Sequence, residues 1–323
     1  MNTLLTGGLG YIGSHIAHYL GNKAIIVDNK TNSKLNYKKY IPNAKVYELD
    51  VNTKSLKKIF KENNINSVIH LSSLKAVEES TSDPIRYYKN NICSSIDLIE
   101  AMDTFKIKKL IFSSSATVYG CQLNAPIKEN YPLNSINPYG STKIIIEQLI
   151  SDYSKGNNSF KCISLRYFNP IGADLKTGLS DQPLGKPLNL ITILNHAIKF
   201  KKKFEIYGND YNTKDGTCLR DFIHVIDLAK AHITALKKIN KIKGHEAINL
   251  GLGKGISVLD IVNLYEKINN IKVDFKFSKR RKGDVAISYA DNKRALNLLG
   301  WKPIYSYEDM VHDSWQAYLK NFK

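Results

Sequence analysis

The sequence predicts an α/β protein with a doubly wound parallel sheet, followed by a smaller C-terminal α+β lobe. Short apolar segments alternate with amphipathic ones through residues 2–168, a pattern typical of strands joined by crossover helices. A glycine-rich turn separates the first two segments, and residues 172–188 are rich in Gly, Pro and Asp. We therefore expect domains at 1–168 and 169–323, with a cleft between them, and allow segments of the second to return to the first.

The first domain is predicted to contain six strands with helices between them. The predicted strands are residues 2–6, 24–27, 45–49, 67–71, 109–112 and 160–165. The predicted helices are residues 11–20, 53–63, 84–105 and a segment from about 138. A polar loop is predicted at residues 72–83, and a helix of the second lobe at 258–269.

The glycine-rich turn spans residues 7–13 and reads GGLGYIG. Glycines at this spacing make a tight turn and let the backbone approach a pyrophosphate, which the N–H groups at the start of the next helix can bind. Asp28 ends the second strand, where a carboxylate accepts hydrogen bonds from a ribose and repels a 2′-phosphate. These features predict a Rossmann-type domain that binds NAD rather than NADP.

Tyr139 and Lys143 are four residues apart in a segment that reads PYGSTK from Pro138. Pro138 suits the first position of a helix, which would put both side chains on one face, a turn apart. A nearby ammonium favours the phenolate and lowers a phenol pKa that starts near ~10. The pair could therefore act as a base near neutral pH. Two surface residues can have the same spacing on a helix by chance, so the spacing alone does not distinguish a catalytic pair from a chance pair.

The charge and the composition of the chain indicate which kinds of partner and compartment to expect. The net charge is +18, but only six of the 47 basic residues are arginine and the lysines are scattered, so we expect no nucleic-acid partner. No apolar run reaches the ~20 residues of a membrane span, and the N-terminal residues are not expected to be a signal peptide, because they lack a basic start and glycines interrupt their apolar run. Four scattered cysteines indicate free thiols in the cytoplasm. The eight histidines form no metal-binding pattern; His70 and His224 are expected to be core residues.

Nine short motifs follow one another along the chain. They are TGGLGYIGSH from Thr6, LKAV from Leu74, SSSATVYG from Ser113, PYGSTK from Pro138, LRYFNP from Leu165, IYGNDY from Ile206, DGT from Asp215, RDFIHV from Arg220 and RRKGD from Arg280. In this order they resemble the UDP-glucose 4-epimerase family of the extended short-chain dehydrogenase/reductases, and they span nearly the whole chain.

The resemblance implies an NAD-dependent isomerase of UDP-glucose and UDP-galactose that inverts C4 through a transient 4-keto sugar. Tyr139, as phenolate, is implied to take the proton of the 4-hydroxyl. Lys143 and the positive nicotinamide are implied to hold the pKa of Tyr139 down, while Ser115 aligns the 4-oxygen. A homodimer is also implied, in which the helices from about Pro84 and from Pro138 pair with their symmetry mates.

The resemblance further implies the ligand contacts. Cofactor contacts are implied for Gly7, Gly10, Tyr11, Ile12, Gly13, Asp28, Asn29, Asn32, Ser33, Asp50, Val51, Leu71, Lys75, Asn90 and Phe168. Substrate contacts are implied for Asn169, Asn189, Leu190, Tyr207, Arg220, Arg281, Asp284 and Ser288. The two arginines would bind the diphosphate, Asp284 the uridine ribose and Tyr207 the uracil.

The chain departs from the family pattern at three places. Residues 71–73 read LSS where the family usually has Phe-Ala-Gly, and Glu78 replaces a glycine. Ser288 lies where some members carry a tyrosine that limits the room for the 2-substituent of the sugar. A small residue there implies that UDP-GlcNAc and UDP-GalNAc are also substrates.

The sequence also allows other functions to be considered. A 4-epimerase of a UDP-pentose or a UDP-uronate has the same motifs, and a carboxylate-bearing sugar would want an extra cation that the sequence alone does not place. A dehydratase typically needs Asp-Glu after a threonine at the end of strand five, and the chain has Ser115-Ala116-Thr117 there. A non-catalytic NAD-sensing protein would not need Ser115, Tyr139 and Lys143 together. A basic nucleic-acid binder with this fold would show salt-dependent binding of oligonucleotides, and none is expected.

Overall fold

The computed structural model describes residues 2–122, 124–281 and 283–321. The strands are β1 (Asn2–Thr6), β2 (Ala24–Val27), β3 (Lys45–Tyr47), β4 (Ile65–His70), β5 (Lys109–Ser115), β6 (Lys161–Tyr167), β7 (Asn169–Ile171), β8 (Phe204–Tyr207), β9 (Leu219–Arg220), β10 (Phe222–His224), β11 (His245–Leu250), β12 (Ile256–Ser257), β13 (Phe275–Ser278) and β14 (Ile287–Ser288). The α-helices are α1 (Tyr11–Leu20), α2 (Tyr37–Tyr40), α3 (Thr53–Glu62), α4 (Val77–Ser82), α5 (Pro84–Thr104), α6 (Pro138–Gly156), α7 (Leu190–Lys199), α8 (Val225–Lys238), α9 (Val258–Asn269) and α10 (Tyr307–Asn321).

Seven parallel strands form the central sheet in the order β11-β6-β5-β4-β1-β2-β3. Successive residues of a strand point to opposite faces, so Leu5 packs with α1 and α8 while its neighbour Leu4 packs with α3 and α5. Both faces are covered by helices, as parallel sheets require. The predicted Rossmann-type, doubly wound fold is confirmed.

A second core forms around Ile171 of β7 and Phe222 of β10, after the last of the six predicted strands. Helices α7, α9 and α10 pack around Leu194, Tyr265 and Trp315, and small sheets join β8 with β13 and β9 with β12 and β14. Strand β11 lies after residue 169, yet it pairs with β6 in the central sheet. The domain boundary at 168/169 stays a prediction.

The six predicted strands are present, with small differences at their ends. β5 continues to Ser115 because Ser115 still pairs with Tyr167 of β6. β3 stops at Tyr47 because the Leu49 N–H turns back to the Tyr47 carbonyl oxygen at 3.0 Å. Helix α6 begins at Pro138, as predicted.

The predicted loop at residues 72–83 is wrong over its second half, which forms α4 (Val77–Ser82). Glu78 and Glu79 lie in its first turn, where negative charge favours a helix N-terminus. The Ser80 N–H donates to the Ala76 carbonyl oxygen at 2.9 Å, and the Ser80 side chain is buried. The polar composition of this segment therefore gave no indication of a short helix that buries the Ser80 side chain.

Across residues 2–122, 124–281 and 283–321, no helix combines the length and apolar character needed to cross a membrane. Within the same residues, no group of three or more His, Cys, Asp or Glu side chains is arranged to hold a metal ion. His70 is a satisfied core residue, as predicted, since its ring nitrogens bond to Thr6 and Ser95 at 2.6 and 2.9 Å.

Candidate active site

The first turn of α6 brings Tyr139 and Lys143 together in the interior. Asn137 caps the helix by accepting a hydrogen bond from the Gly140 N–H at 2.9 Å, and Pro138 occupies the first helical position. The Tyr139 and Lys143 side chains are only 7% and 2% exposed. The two residues are therefore a buried pair and not two surface residues that share a helix face by chance.

Lys143 is held by the end of β5. Its Nζ donates to the Ser113 carbonyl oxygen at 2.9 Å and lies 5.7 Å from the centre of the Tyr139 ring. Burial lowers the pKa of Lys143 to about 7, and the Glu147 carboxylate opposes that shift. The side chain can therefore exchange a proton near neutral pH.

The predicted lowering of the Tyr139 pKa by Lys143 is wrong for the protein alone. Burial raises the pKa of Tyr139 to about 12, and the facing Ser115 side chain lowers it in part. The reason is that the dry surroundings disfavour the phenolate, while the Lys143 ammonium points at the Ser113 carbonyl. Spacing on the helix revealed the pair but not this burial.

Ser115 lies at the carboxyl end of β5, opposite Tyr139. Its Oγ accepts hydrogen bonds from the Thr117 N–H at 3.2 Å and the Thr117 hydroxyl at 3.0 Å. Because a serine hydroxyl has two acceptor sites and one hydrogen, these bonds leave its own O–H free to donate. Ser115 can therefore donate to an oxygen placed beside the Tyr139 phenol.

Behind this pair is a buried ionic cluster that we did not predict. Glu147, one turn after Lys143, accepts hydrogen bonds from Arg166 Nη2 at 2.5 Å, Arg166 Nε at 3.0 Å and the Ser114 hydroxyl at 2.5 Å. Arg166 Nη1 also donates to the Tyr119 hydroxyl at 3.0 Å. The signal available in the sequence was the spacing, since residues 139, 143 and 147 share one helix face.

The glycine-rich turn makes a cradle that side chains would fill. Gly7 has φ +69°, and a Cβ there would lie 2.8 Å from the Ser72 backbone nitrogen. A Cβ on Gly13 would lie 2.4 Å from the Gly7 carbonyl oxygen. Helix α1 starts at Tyr11 without a side-chain cap from Gly10, so its first N–H groups can meet an anion. These residues fit a dinucleotide pyrophosphate.

Asp28 lies next to this turn, at the end of β2. Its carboxylate accepts the Leu9 N–H at 2.9 Å and the Lys30 N–H at 2.7 Å, and burial raises its pKa. Asn29 donates to Asp50 at 2.7 Å, beyond β3. The Asp28 carboxylate is oriented by backbone donors and fits the recognition of ribose hydroxyls.

The other predicted cofactor residues surround the same edge of the sheet. Ser33 donates to the Leu9 carbonyl oxygen at 2.7 Å, and the Leu71 N–H donates to the Thr6 carbonyl oxygen at 3.1 Å. The remaining ones are exposed or packed at the edges of the core: Ile12 and Val51 partly buried, Asn32, Lys75 and Asn90 exposed, and Phe168 buried. Their ligand roles stay predictions.

Asn91, which we missed, connects three parts of this edge. It is fully buried on α5, accepts the Leu74 N–H at 2.8 Å and donates to the Thr142 hydroxyl at 3.1 Å. Asn90 next to it donates to Asn91 at 2.9 Å. Asn91 therefore ties α6 to the segment before α4, and the sequence offered only an Asn-Asn pair as a signal.

Five predicted substrate residues gather in the second lobe. Arg220 Nη2 and Arg281 Nε lie 3.4 and 3.3 Å from the two oxygens of Asp284. The Arg281 guanidinium covers the Tyr207 ring at 4.4 Å, and Ser288 pairs in register with Arg220. Two guanidiniums converge here, which suits a diphosphate.

The other three predicted substrate residues lie on neighbouring segments. The Asn169 N–H donates to the Asp221 carbonyl oxygen at 3.1 Å, and Asp221 follows Arg220 directly. Asn189 is the residue before Leu190, the first helical residue of α7, and its side chain donates to Asp181 at 2.7 Å instead of capping the helix backbone. Asp181 carries no recognisable pattern in the sequence, whereas Asp221 belongs to the RDFIHV motif.

Comparisons with known proteins agree with this geometry. The family model described as NAD dependent epimerase/dehydratase family matches residues 3–251. The UDP-glucose 4-epimerase of Dictyostelium discoideum is 44% identical over 324 residues, covering 97% of this chain and 94% of that protein.

Two solved structures are similar over nearly their whole length. One is UDP-glucose 4-epimerase from Bifidobacterium longum in complex with NAD+ and UDP, with TM-score 0.94, 40% identity and 99% of each chain covered. The other is UDP-glucose-4-epimerase from Stenotrophomonas maltophila with bound NAD and formylated UDP-arabinopyranose, with TM-score 0.96, 36% identity and coverage of 100% of this chain and 99% of that one.

Proposed function

Because the chain belongs to the NAD dependent epimerase/dehydratase family, we propose that it interconverts UDP-glucose and UDP-galactose by inverting C4. The observation that carries the proposal is the buried group of Ser115, Tyr139 and Lys143 at the carboxyl end of β5, beside a glycine cradle suited to NAD. NAD held by the glycine cradle and Asp28 would supply a reversible hydride acceptor for C4 and a positive charge beside Tyr139.

The chain's own residues handle the proton. Ser115, whose O–H is free to donate, holds the 4-oxygen of the sugar. Tyr139 removes the 4-hydroxyl proton and later gives it back. Burial keeps the pKa of Tyr139 raised although Ser115 lowers it in part, so base function requires added positive charge, which the bound nicotinamide and the Lys143 ammonium, 5.7 Å from the ring centre, would supply together. The cycle closes with no net oxidation.

The second lobe would hold the nucleotide while the sugar turns. Arg220 and Arg281 donate to the diphosphate, and Asp284, which now bridges them, meets the uridine ribose. Tyr207 lies under Arg281 and provides a flat surface for the uracil. Fixing the UDP end lets the 4-keto sugar present its opposite face, which inversion at C4 needs.

The test is to give the purified enzyme UDP-galactose and follow UDP-glucose with a coupled dehydrogenase. UDP-xylose and UDP-glucuronate are run in parallel at the same concentrations. We expect the highest kcat/KM with UDP-galactose. Turnover of UDP-xylose or UDP-glucuronate, with no UDP-glucose formed from UDP-galactose, would show that the enzyme is the 4-epimerase of another UDP-sugar.

We propose that N-acetylated sugars are also accepted, because Ser288 is small. It is half-buried in β14, level with Arg220 of β9. Incubation with UDP-GalNAc should yield UDP-GlcNAc on chromatography. The matched variant Ser288→Tyr should lose this activity and keep UDP-galactose turnover. Wild-type enzyme that forms no UDP-GlcNAc contradicts the proposal.

We propose a homodimer formed through the outer faces of α5 and α6. Ile85 is 78% exposed on α5, Ile96 lies further along the same helix, and Ile145 is exposed on α6. Large aliphatic side chains at these places suit a self-complementary interface. Sedimentation should give twice the chain mass, and Ile96→Lys should reduce it to one. A monomeric wild type would contradict this.

We also propose that the enzyme works in the cytoplasm. The four cysteines are unpaired, with Cys93 and Cys121 exposed and Cys162 and Cys218 buried. Exposed free thiols suit a reducing compartment. Fractionation of cells that express the tagged chain would test this, and recovery outside the cytoplasmic fraction would contradict it.

A further inference from the structure

A short segment of the loop after β7, residues 179–184, lies between the cofactor turn and the start of α7; we refer to it as the strap. The Lys34 N–H donates to the Gln182 carbonyl oxygen at 3.3 Å, and the Leu184 N–H donates to the Asn32 carbonyl oxygen at 3.4 Å. Ser33 and Pro183 form an antiparallel bridge between these bonds. The strap is therefore paired through its backbone to the turn that follows Asp28.

The Asp181 side chain reaches from the strap to the other side. Its Oδ2 accepts a hydrogen bond from Asn189 Nδ2 at 2.7 Å and another from the Thr192 hydroxyl at 2.8 Å. Asn189 is the N-cap of α7 and Thr192 is its third residue, so both contacts lie in the first turn. One carboxylate therefore fixes the beginning of the helix.

Helix α7 needs such a contact because it does not cap itself. The Asn189 side chain accepts no hydrogen bond from the backbone of α7, and its amide nitrogen donates to Asp181. A carboxylate at this end also interacts favourably with the helix dipole. The first N–H groups of α7 are left without a side-chain cap, at the place where Asn189 and Leu190 are proposed to meet the substrate.

Asp181 also lies close to the cofactor turn. Together with burial, its charge raises the pKa of Tyr11, whose hydroxyl donates to the Gly172 carbonyl oxygen at 2.6 Å. Tyr11, Asp181, Asn189 and Thr192 line one small cavity. The Asp181 carboxylate therefore contacts the start of α7 directly and lies near Tyr11 of the cofactor turn.

We propose that Asp181 is a positioning residue for UDP-sugar binding, which holds the first turn of α7 in register with the cofactor turn through the strap. The inference rests on the proposed function, because it takes Asn189 and Leu190 as substrate contacts. Removing the carboxylate should weaken the binding of UDP and of UDP-sugars. The hydride and proton steps at Tyr139 and the NAD content should change little, because the backbone pairing between the strap and residues 32–34 does not involve the Asp181 side chain.

The test compares Asp181→Ala and Thr192→Val with Lys186→Ala, an exposed site in the same loop. We expect Asp181→Ala to raise the KM for UDP-galactose and the Kd of UDP, measured by calorimetry on the NAD-loaded enzyme, about tenfold. Thr192→Val removes one of the two hydrogen bonds and should raise both about threefold. Lys186→Ala should change neither, and kcat and NAD content should stay within about twofold in all three variants.

The readouts separate positioning from general stability. A KM and a UDP Kd within twofold of wild type in Thr192→Val would overturn the inference, even if Asp181→Ala does not fold. A parallel fall in kcat, NAD content and melting temperature would mean that Asp181 acts on the whole fold, which also contradicts it. Wild-type enzyme that binds UDP but does not epimerise UDP-galactose would refute the proposed function. The UDP Kd values of the variants would still test the positioning role of Asp181.

Discussion

Lys143 and Glu147 lie one turn apart on the same face of α6 and are equally buried, yet their surroundings are opposite. The Glu147 carboxylate receives hydrogen bonds from Ser114 and from two nitrogens of Arg166. Lys143 has three N–H donors, and within the described part of the chain its one hydrogen bond goes to the Ser113 carbonyl. A saturated buried charge is a structural feature, whereas an unsaturated one is available for chemistry.

The two positions should therefore respond to mutation in different ways. Loss of a partner at Glu147 leaves a buried charge uncompensated and affects folding. Loss of Lys143 removes a charge that burial already disfavours and affects the reaction. The next experiments test whether Glu147 mainly affects stability and Lys143 mainly affects turnover.

The largest expected effect is on stability, from Arg166→Leu. Leaving the Glu147 carboxylate buried without its guanidinium should cost about 3–5 kcal/mol of unfolding free energy, measured by urea titration. The control is Lys276→Leu, which breaks an ion pair with Glu205 whose side chains are 53% and 38% exposed. Because water screens this exposed pair, its loss should leave the unfolding free energy nearly unchanged. Equal losses in the two variants would show that burial does not set the difference.

The next effect is on turnover, from Lys143→Met. Without its charge beside Tyr139, kcat for UDP-galactose should fall about 100-fold, as expected for the loss of a group that assists proton transfer. The unfolding free energy at pH 7 should not fall by more than ~1 kcal/mol, because methionine fills similar space without a desolvated charge. A large loss of stability with unchanged kcat would place Lys143 with Glu147 as a structural residue.

The smallest effect is in the pH dependence of stability. Burial lowers the pKa of Lys143 from 10.5 to about 7, so between these pH values the unfolded state binds more protons than the folded one. The contribution of Lys143 to stability therefore rises with pH across this window and is lost as pH falls toward 7. Between pH 7.5 and 9.5 the unfolding free energy of wild type should rise more steeply than that of Lys143→Met, by about 1 kcal/mol per pH unit. Identical slopes would contradict the lowered pKa.

The sequence predicted the parts of the protein that depend on local patterns. Strand and helix alternation predicted the parallel sheet, and the Tyr139–Lys143 spacing predicted a shared helix face that the structure confirms. The short helix α4 was missed because its segment is polar, and its single buried side chain, Ser80, gives no periodic signal.

What the sequence could not predict depends on contacts between distant segments. Arg166 reaches Glu147 from β6, and Asp181 reaches the start of α7 from a loop with no regular pattern. In the protein alone the pKa of Tyr139 is raised, which the sequence did not predict, because the spacing reveals the nearby charge but not the loss of water around the phenol. The joint effect of Lys143 and the nicotinamide stays a prediction. Neither pairing nor burial can be read from periodicity alone.

The most direct test of the mechanism is the turnover of UDP-galactose by Tyr139→Phe, measured beside wild type with the NAD content and UDP affinity of both. The substitution removes only the hydroxyl that carries the proton. We predict that kcat falls by at least ~100-fold while NAD content and UDP affinity stay within twofold. Turnover within a few-fold of wild type, at equal NAD content, would contradict the role of Tyr139 as the base.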